Sequence, residues 1–341
     1  MNALHNIDLF AQAALSIVFE ALPFLLLGSL ASGLVEAYVP RERVERLVPK
    51  GRLAATFFGL ALGAATPCCE CGVVYLARRL MGKGVPPGAA LAFMLAAPVI
   101  NPVSILATLV AFRGDPTMAV WRCLVVSVAA LAVGWFAGGQ KAESLLKPLA
   151  GREPACGCGH DHVPGQAHGH ADGHALAASP ADGPAPLFGS LADALPVAAL
   201  GPDRRQQAAS ALTHAMADFL DMAKVLVFGS MVAAAFKAYV PASVIMAMEN
   251  DLALAIPGMM ALAVGLSLCS QADAFVAASF STFPQAAKLA FLALGPMLDL
   301  KLVLMWRQVF TPRLVRVLAW VPAAIVFVVC VALGLATGGA S

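Results

Sequence analysis

Eight stretches, residues 10–38, 53–80, 86–112, 118–139, 214–238, 252–280, 284–308 and 313–337, are each apolar over the length of a membrane span. A helix needs about 20 apolar residues to cross the hydrocarbon core of a bilayer. Repeated eight times, that constraint leaves an all-α polytopic membrane protein. Only 12% of residues are charged and 60% are hydrophobic. A soluble domain carries about 25% charge, so this chain cannot coat a soluble surface of its size. The net charge of +2 gives no basic bias toward nucleic acid. The opening MNALHNIDLF lacks the positive region of a cleavable signal, so the first span is expected to act as its own insertion signal.

The spans form two groups of four. Residues 1–139 make the first membrane unit, 213–341 the second, and 140–212 a linker rich in Gly, Pro, Ala and His. The units resemble each other. FLLLGSLASGLVEAYVP (24–40) aligns with VLVFGSMVAAAFKAYVP (225–241), GLALGAATPCCECGVV (59–74) with ALAVGLSLCSQADAFV (261–276), and LAFMLAAPVINP (91–102) with LAFLALGPMLDL (289–300). Duplicated units are typical of secondary transporters, which bind substrate near the midplane where the repeats meet. Four full spans per unit would insert both units in the same direction. A re-entrant hairpin at 53–80 or 86–112, each interrupted in its middle, would change that. Arg41, Arg43, Arg46, Lys50 and Arg52 assign loop 38–52 to the cytoplasm. Simple spans then put both termini and the linker outside. Hairpins instead bring 78–83 to the inner side with 41–52, in better agreement with the charges.

The interruptions carry the chemistry. In ATPCCECGVVY (65–75), Thr66 is expected to cap a new half-helix and Pro67 to begin it. Cys68, Cys69 and Glu70 would lie in its first turn, where free N–H groups favour anions, thiolate included. Cys68 and Cys71, three apart, share a face. Irregular backbone survives in lipid only where it is buried in protein or lines a cavity, so the break itself argues for a lined site. APVINPVS (97–104) is broken in the same way at Pro98, with a restart at Asn101. In the second unit Cys269 and Ser270 precede Gln271 and Asp273. The alignment pairs Cys71 with Asp273, Pro67 with Cys269, and Asn101 with Asp299.

One site of Cys68, Cys69, Glu70, Cys71, Cys269 and Asp273 follows, supported by Thr66, Pro67, Asn101, Ser270, Gln271 and Asp299. Mixed thiolate and carboxylate suit Zn(II), and thiolates alone suit Cu(I) or As(III). Glu70, Asp273 and Asp299 are candidates for proton coupling. Glu20, inside the first span, is as consistent with packing as with function. Asp218 and Asp221 are expected to face water near a span end. Cys123 and Cys330 read as packing residues, and Gly59-x-x-x-Gly63 and Gly134-x-x-x-Gly138 as close helix contacts. In the linker, CGCGHDHVPGQAHGHADGH (156–174) holds Cys156, Cys158, His160, His162, His168, His170 and His174, a loose collector of Zn, Cu or Ni.

TPCCECG, APVINPVSI, LCSQADAFV and GPMLDLK, with the duplicated unit, resemble the predicted permease family that includes the organoarsenical efflux permeases (ArsP-type). In arsenical members a cysteine pair after Thr-Pro, separated by one residue, holds trivalent arsenic. The resemblance implies that Cys69 and Cys71 are that pair, with Cys68 extra. The added thiol, Glu70 and the His-rich linker look like the copper/zinc efflux branch. The leading expectation is a secondary exporter of Zn(II) or Cu(I) in a bacterial cytoplasmic membrane. It has no permanent cofactor; its partners are the cargo ion and the bilayer, with room for a homo-oligomer. No G-x-x-x-x-G-K-[ST] loop points to ATP. The alternatives are an organoarsenical efflux permease, a membrane thiol–disulfide oxidoreductase using Cys69 and Cys71, and a metal sensor or chaperone.

Overall fold

The computed structural model describes residues 2–38, 47–49, 51–66, 68–147, 202–239 and 252–336. Pro67 and the linker residues Cys156, Cys158, His160, His162, His168, His170 and His174 lie outside the described residues. The helices of the first half are α1 (Asn2–Tyr38), α2 (Arg52–Ala65), α3 (Glu70–Gly82), α4 (Pro87–Ala96), α5 (Pro102–Ala111), α6 (Pro116–Ala137) and a single turn, α7 (Ala142–Leu145). Those of the second half are α8 (Pro202–Tyr239), α9 (Leu252–Leu266), α10 (Ser270–Ser279), α11 (Gln285–Leu294), α12 (Leu300–Val309) and α13 (Pro312–Ala336). Among the described residues there is no strand beyond one isolated bridge, Leu146 to Phe310. The linker expected at 140–212 therefore includes α7 and, from Pro202, the start of α8.

Both halves follow the order long helix, four short helices, long helix. The four long ones contain apolar segments able to cross a membrane: Phe10–Val35, Pro116–Ala137, Ala211–Phe236 and Pro312–Ala336. The other four expected spans are each cut in two. The sequence accounts for the restarts: Pro87, Pro102 and Pro116 stand at first helical positions, where the missing N–H costs nothing. Asn101, Asp115 and Asp299 cap α5, α6 and α12 with side-chain oxygens bonded to the Ser104, Thr117 and Leu302 amides. The Thr117 hydroxyl and amide hold the Asp115 carboxyl below its ordinary value.

Neighbouring contacts set the directions. Gly59 and Gly63 of α2 abut Ala89 and Ala96 of α4, so these helices run the same way. Gly134, late in α6, abuts Gly88 and Thr56, so α6 runs against both. The turn at 83–86 joins the end of α3 to the start of α4, returning α3 to the end of the bundle where α2 began. Helices α2 and α3 are thus the arms of a hairpin, with Thr66, Cys68 and Cys69 at its tip. Helix α5 continues α4 to the far end, and α6, at 22 residues, returns; at 1.5 Å per residue it covers about 33 Å.

The second half repeats this order the other way up. Arg78 on α3 donates to the carbonyls of Val309 (3.1 Å) and Lys147 (2.8 Å), so α12 finishes where α3 and α6 finish. Asp218 of α8 accepts from Arg79 and Ser32 near that same end, and α8 then runs inward until Gly229 meets Lys301. Among the described helices, α2–α3 and α9–α10 each double back. Arg52, Arg79, Lys83, Lys141, Lys147 and Arg307 gather at one end, and Arg113 lies at the other.

Packing relies on small residues. Every residue of α4, PGAALAFMLA, is buried, as is nearly all of α11. A methyl on Gly59, Gly88 or Gly134 would overlap a neighbouring helix, so these glycines set the approach of α2, α4 and α6. Asp218 does not face water, as its place near a span end implied. It is 2% exposed and bridged to Arg79 at 2.7 Å, because α3 returns beside α8.

Candidate functional site

The two hairpin tips meet inside the bundle. Cys69 has φ −81°, ψ 164° and precedes α3; Cys269 has φ −80°, ψ 158° and precedes α10. The matching positions are therefore Cys69 and Cys269, two residues from the pairing of Pro67 with Cys269. In that register Asp273 corresponds to Val73 instead of Cys71. Thr66 also departs from its expected role: it ends α2, its hydroxyl bonding back to the Leu62 carbonyl at 2.9 Å, and the new helix begins at Glu70.

A cavity with about 20 Å³ of free space lies between the tips, enough for about one water-sized body. Its chemistry-bearing lining is Cys69, Glu70 and Cys71 from the first tip, Cys269 and Gln271 from the second, and Glu20 of α1. Lys301 and Ser267 complete it. Cys69 and Cys71 interact through their side chains. The Cys269 thiol donates to Glu20 Oε1 at 2.6 Å. Cys68 is half-buried beside Cys69 and outside this lining.

Lys301, in the first turn of α12, binds three oxygens: Glu70 Oε1 at 2.9 Å, the Ser267 carbonyl at 2.9 Å and Asp299 Oδ2 at 3.3 Å. Ser267 holds φ 47°, a left-handed conformation that a non-glycine residue adopts at a cost. Its hydroxyl accepts from the Leu300 amide at 3.2 Å, so the start of α12 holds this strained tip from two sides.

Behind the second tip lies another buried polar group. Ser270 and Ser104 hydroxyls are bonded at 2.9 Å, Arg122 donates to the Ser270 carbonyl at 3.0 Å and to Thr108 Oγ1 at 2.7 Å. Asp273, 1% exposed, lies within electrostatic reach of Arg122, and both of its oxygens lack a hydrogen-bond partner among the described residues. Asn101 and Asp299 serve first as caps: Asn101 also donates to the Ala97 carbonyl at 2.8 Å, and Asp299 accepts from the Leu302 amide at 2.6 Å.

Of the expected donors, Cys69, Glu70, Cys71 and Cys269 line this cavity, whereas Cys68 and Asp273 do not. Sequence reasoning missed Lys301 and Arg122. Each was a basic residue inside an apolar run, which is signal enough, since an unpaired cation there is costly. Among the described residues no three His, Cys, Asp or Glu side chains are arranged so that they could hold a metal ion.

Residues 6–338 match the ArsP-type family described as "Predicted permease". The chain is 35% identical to "UPF0718 protein YcgR" of Bacillus subtilis (strain 168) over 307 residues, 89% of this chain and 90% of that one. It is 32% identical over 322 residues to the Streptococcus mutans protein named "Putative two-component membrane permease complex subunit", covering 94% and 93%. No solved structure matches the chain.

Proposed function

The chain belongs to this predicted permease family, and from that premise we propose that it exports a soft or borderline metal cation, Zn(II) or Cu(I), through the cavity between its hairpin tips. It is a transporter and not an enzyme, so the thiol–disulfide reading of Cys69 and Cys71 falls away. The observation that carries the metal reading is the donor set: three thiols and two carboxylates around space for one small body. Cys69, Cys71 and Cys269 supply soft sulfur, and Glu20 and Glu70 supply oxygen. In the wider site four carboxyl groups (Glu20, Glu70, Asp273 and Asp299) face two cations, Lys301 and Arg122. That imbalance favours a cationic cargo over a neutral one. Cys68 and Gln271 sit at the edge of this set as reserve donors.

The two halves are read as inverted repeats. Four long helices and two interrupted crossings, α4–α5 and α11–α12, span the bilayer, and the two hairpins enter from opposite faces. Inverted repeats of this kind allow alternating access about a fixed midplane site. The basic end faces the cytoplasm of a bacterial cell by the positive-inside rule. The linker leaves from that end after α6, so its histidines and Cys156 and Cys158 gather cytoplasmic metal for export. Asp273 and Asp299 carry the coupling protons, with Arg122 and Lys301 as their counter-charges. There is no resident cofactor, and a homo-oligomer is compatible with the exposed apolar long helices.

Trivalent organoarsenicals would use the same thiols, and the excess of carboxylates disfavours them. The test is uptake into proteoliposomes with zinc, copper(I) and methylarsenite in parallel. Flux of a metal that is lost in Cys69→Ser and in Asp273→Asn supports the reading. Methylarsenite flux without metal flux transfers the site to arsenicals.

A further inference from the structure

Lys301 is the one cation on the cavity wall among its described lining residues, in a site argued to bind a cation. Its ammonium is held by three oxygens from three segments: Glu70 on α3, the Ser267 carbonyl at the second tip, and Asp299 on its own helix. A carboxylate, a main-chain carbonyl and a second carboxylate are also what a hard or borderline cation accepts as ligands. The side chain is 2% exposed, so solvent does not share this role. We propose that Lys301 is a tethered counter-cation: its ammonium occupies the Glu70 carboxylate while the site is empty of cargo and leaves it when a cargo cation loads. The inference rests on the cation-export reading above.

The surrounding geometry limits how it leaves. A methyl at Gly229 would stand 2.8 Å from Lys301 Cβ and 3.0 Å from its Cα, so the root of the side chain is wedged against α8. Only the flexible arm can swing. Asp299 offers it a place: Oδ1 caps α12 through the Leu302 amide, and among the described residues Oδ2 meets only the ammonium itself, 3.3 Å from Nζ. A short swing moves the ammonium from Glu70 to Asp299. Among the described residues Glu70 Oε2 already lacks a partner, so the swing leaves the whole carboxylate facing the cavity. The Glu70–Lys301 pair is also a bridge between the two halves, joining α3 to α12. Loading therefore releases a contact between the repeats at the moment the cargo binds. That links occupancy to the freedom of the halves to move, with no change in the protonation of either group.

The test uses the full-length protein. Cargo binding at the tips is read by protection of the Cys69–Cys71 peptide from alkylation, which the linker cannot report. A membrane-permeant carbodiimide reads the ion pair, since it condenses a carboxylate with an amine only where they touch. The expected result is a Glu70–Lys301 isopeptide bond in the cargo-free protein, its yield falling at least tenfold at saturating zinc or copper(I). Lys301→Met is expected to tighten cation binding at least tenfold, and Lys301→Arg, which keeps the charge, to leave it within threefold. Protection by the metal with an unchanged isopeptide yield overturns the counter-cation and leaves the export reading intact. No protection by any metal overturns both. If Lys301→Met does not fold, the carbodiimide result on the wild-type protein decides.

Discussion

A double-mutant cycle on Glu70 and Lys301 tests whether the two halves are joined by a buried ion pair. The groups are 2.9 Å apart with side chains 3% and 2% exposed, so water screens them little. Removing one partner of a buried pair costs about 3–5 kcal/mol, because the other charge is left uncompensated. Glu70→Gln belongs at the lower end, about 3 kcal/mol, since Asp299 and the Ser267 carbonyl still hold the ammonium. Lys301→Met belongs nearer 5 kcal/mol, because Glu70 and Asp299 are then left facing each other without a cation. The double variant removes the Glu70 charge and the ammonium together, so it should be more stable than the sum of the singles by about 2–3 kcal/mol. At roughly 2 °C per kcal/mol for a chain this large, the singles lower the melting temperature by about 6–10 °C. The assay is thermal unfolding in detergent, followed by helical circular dichroism. Additive losses, within about 1 °C, would mean that the two groups do not interact and that the tips are placed wrongly.

Three further outcomes follow from the packing and the hairpins. Gly134→Val drives a branched side chain into Thr56 and the Gly88 carbonyl; overpacking of this kind costs about 1–3 kcal/mol, read as a lower melting temperature and a lower detergent-extractable yield. Asp218→Asn weakens the buried bridge to Arg79, 2.7 Å long, and should cost about 3 kcal/mol in the same melt. Single cysteines at Lys83 and Lys141, placed in a variant without other cysteines, should react with an impermeant maleimide from the cytoplasmic face, and cysteines at Arg113 and Ser281 from the other. A further single cysteine at Arg52, where α2 begins, labelling from the side opposite to Lys83 would contradict the hairpin at α2–α3.

Much of the architecture was legible because lipid restricts the solutions. Long apolar runs give helices, and Pro98 and the Asn101–Pro102 pair mark where one breaks. The direction after each break was not legible. A proline shows that a helix stops, but whether the next segment continues or turns back depends on its neighbours. Helix α3 turns back because α1 and α12 offer it a packing surface and because Arg78 and Arg79 find partners at the basic end. The two-residue shift in repeat register has a similar cause: string similarity paired Pro67 with Cys269, whereas the backbone resumes its helix at Glu70 and at Ser270. The thiols were found by their clustering. Lys301 was overlooked because a lone lysine two residues beyond Asp299 forms no motif, and only its three oxygen partners show what it does.

The central claim is that the two tips form one site for one cargo. Flux of the transported ion should be compared in proteoliposomes between wild type, Cys69→Ser on the first tip and Cys269→Ser on the second, with folding checked by melting temperature. The account predicts that both substitutions reduce flux of the same ion by at least tenfold while the proteins remain folded. Undiminished flux in folded Cys269→Ser, alongside loss in Cys69→Ser, would contradict a site shared between the tips.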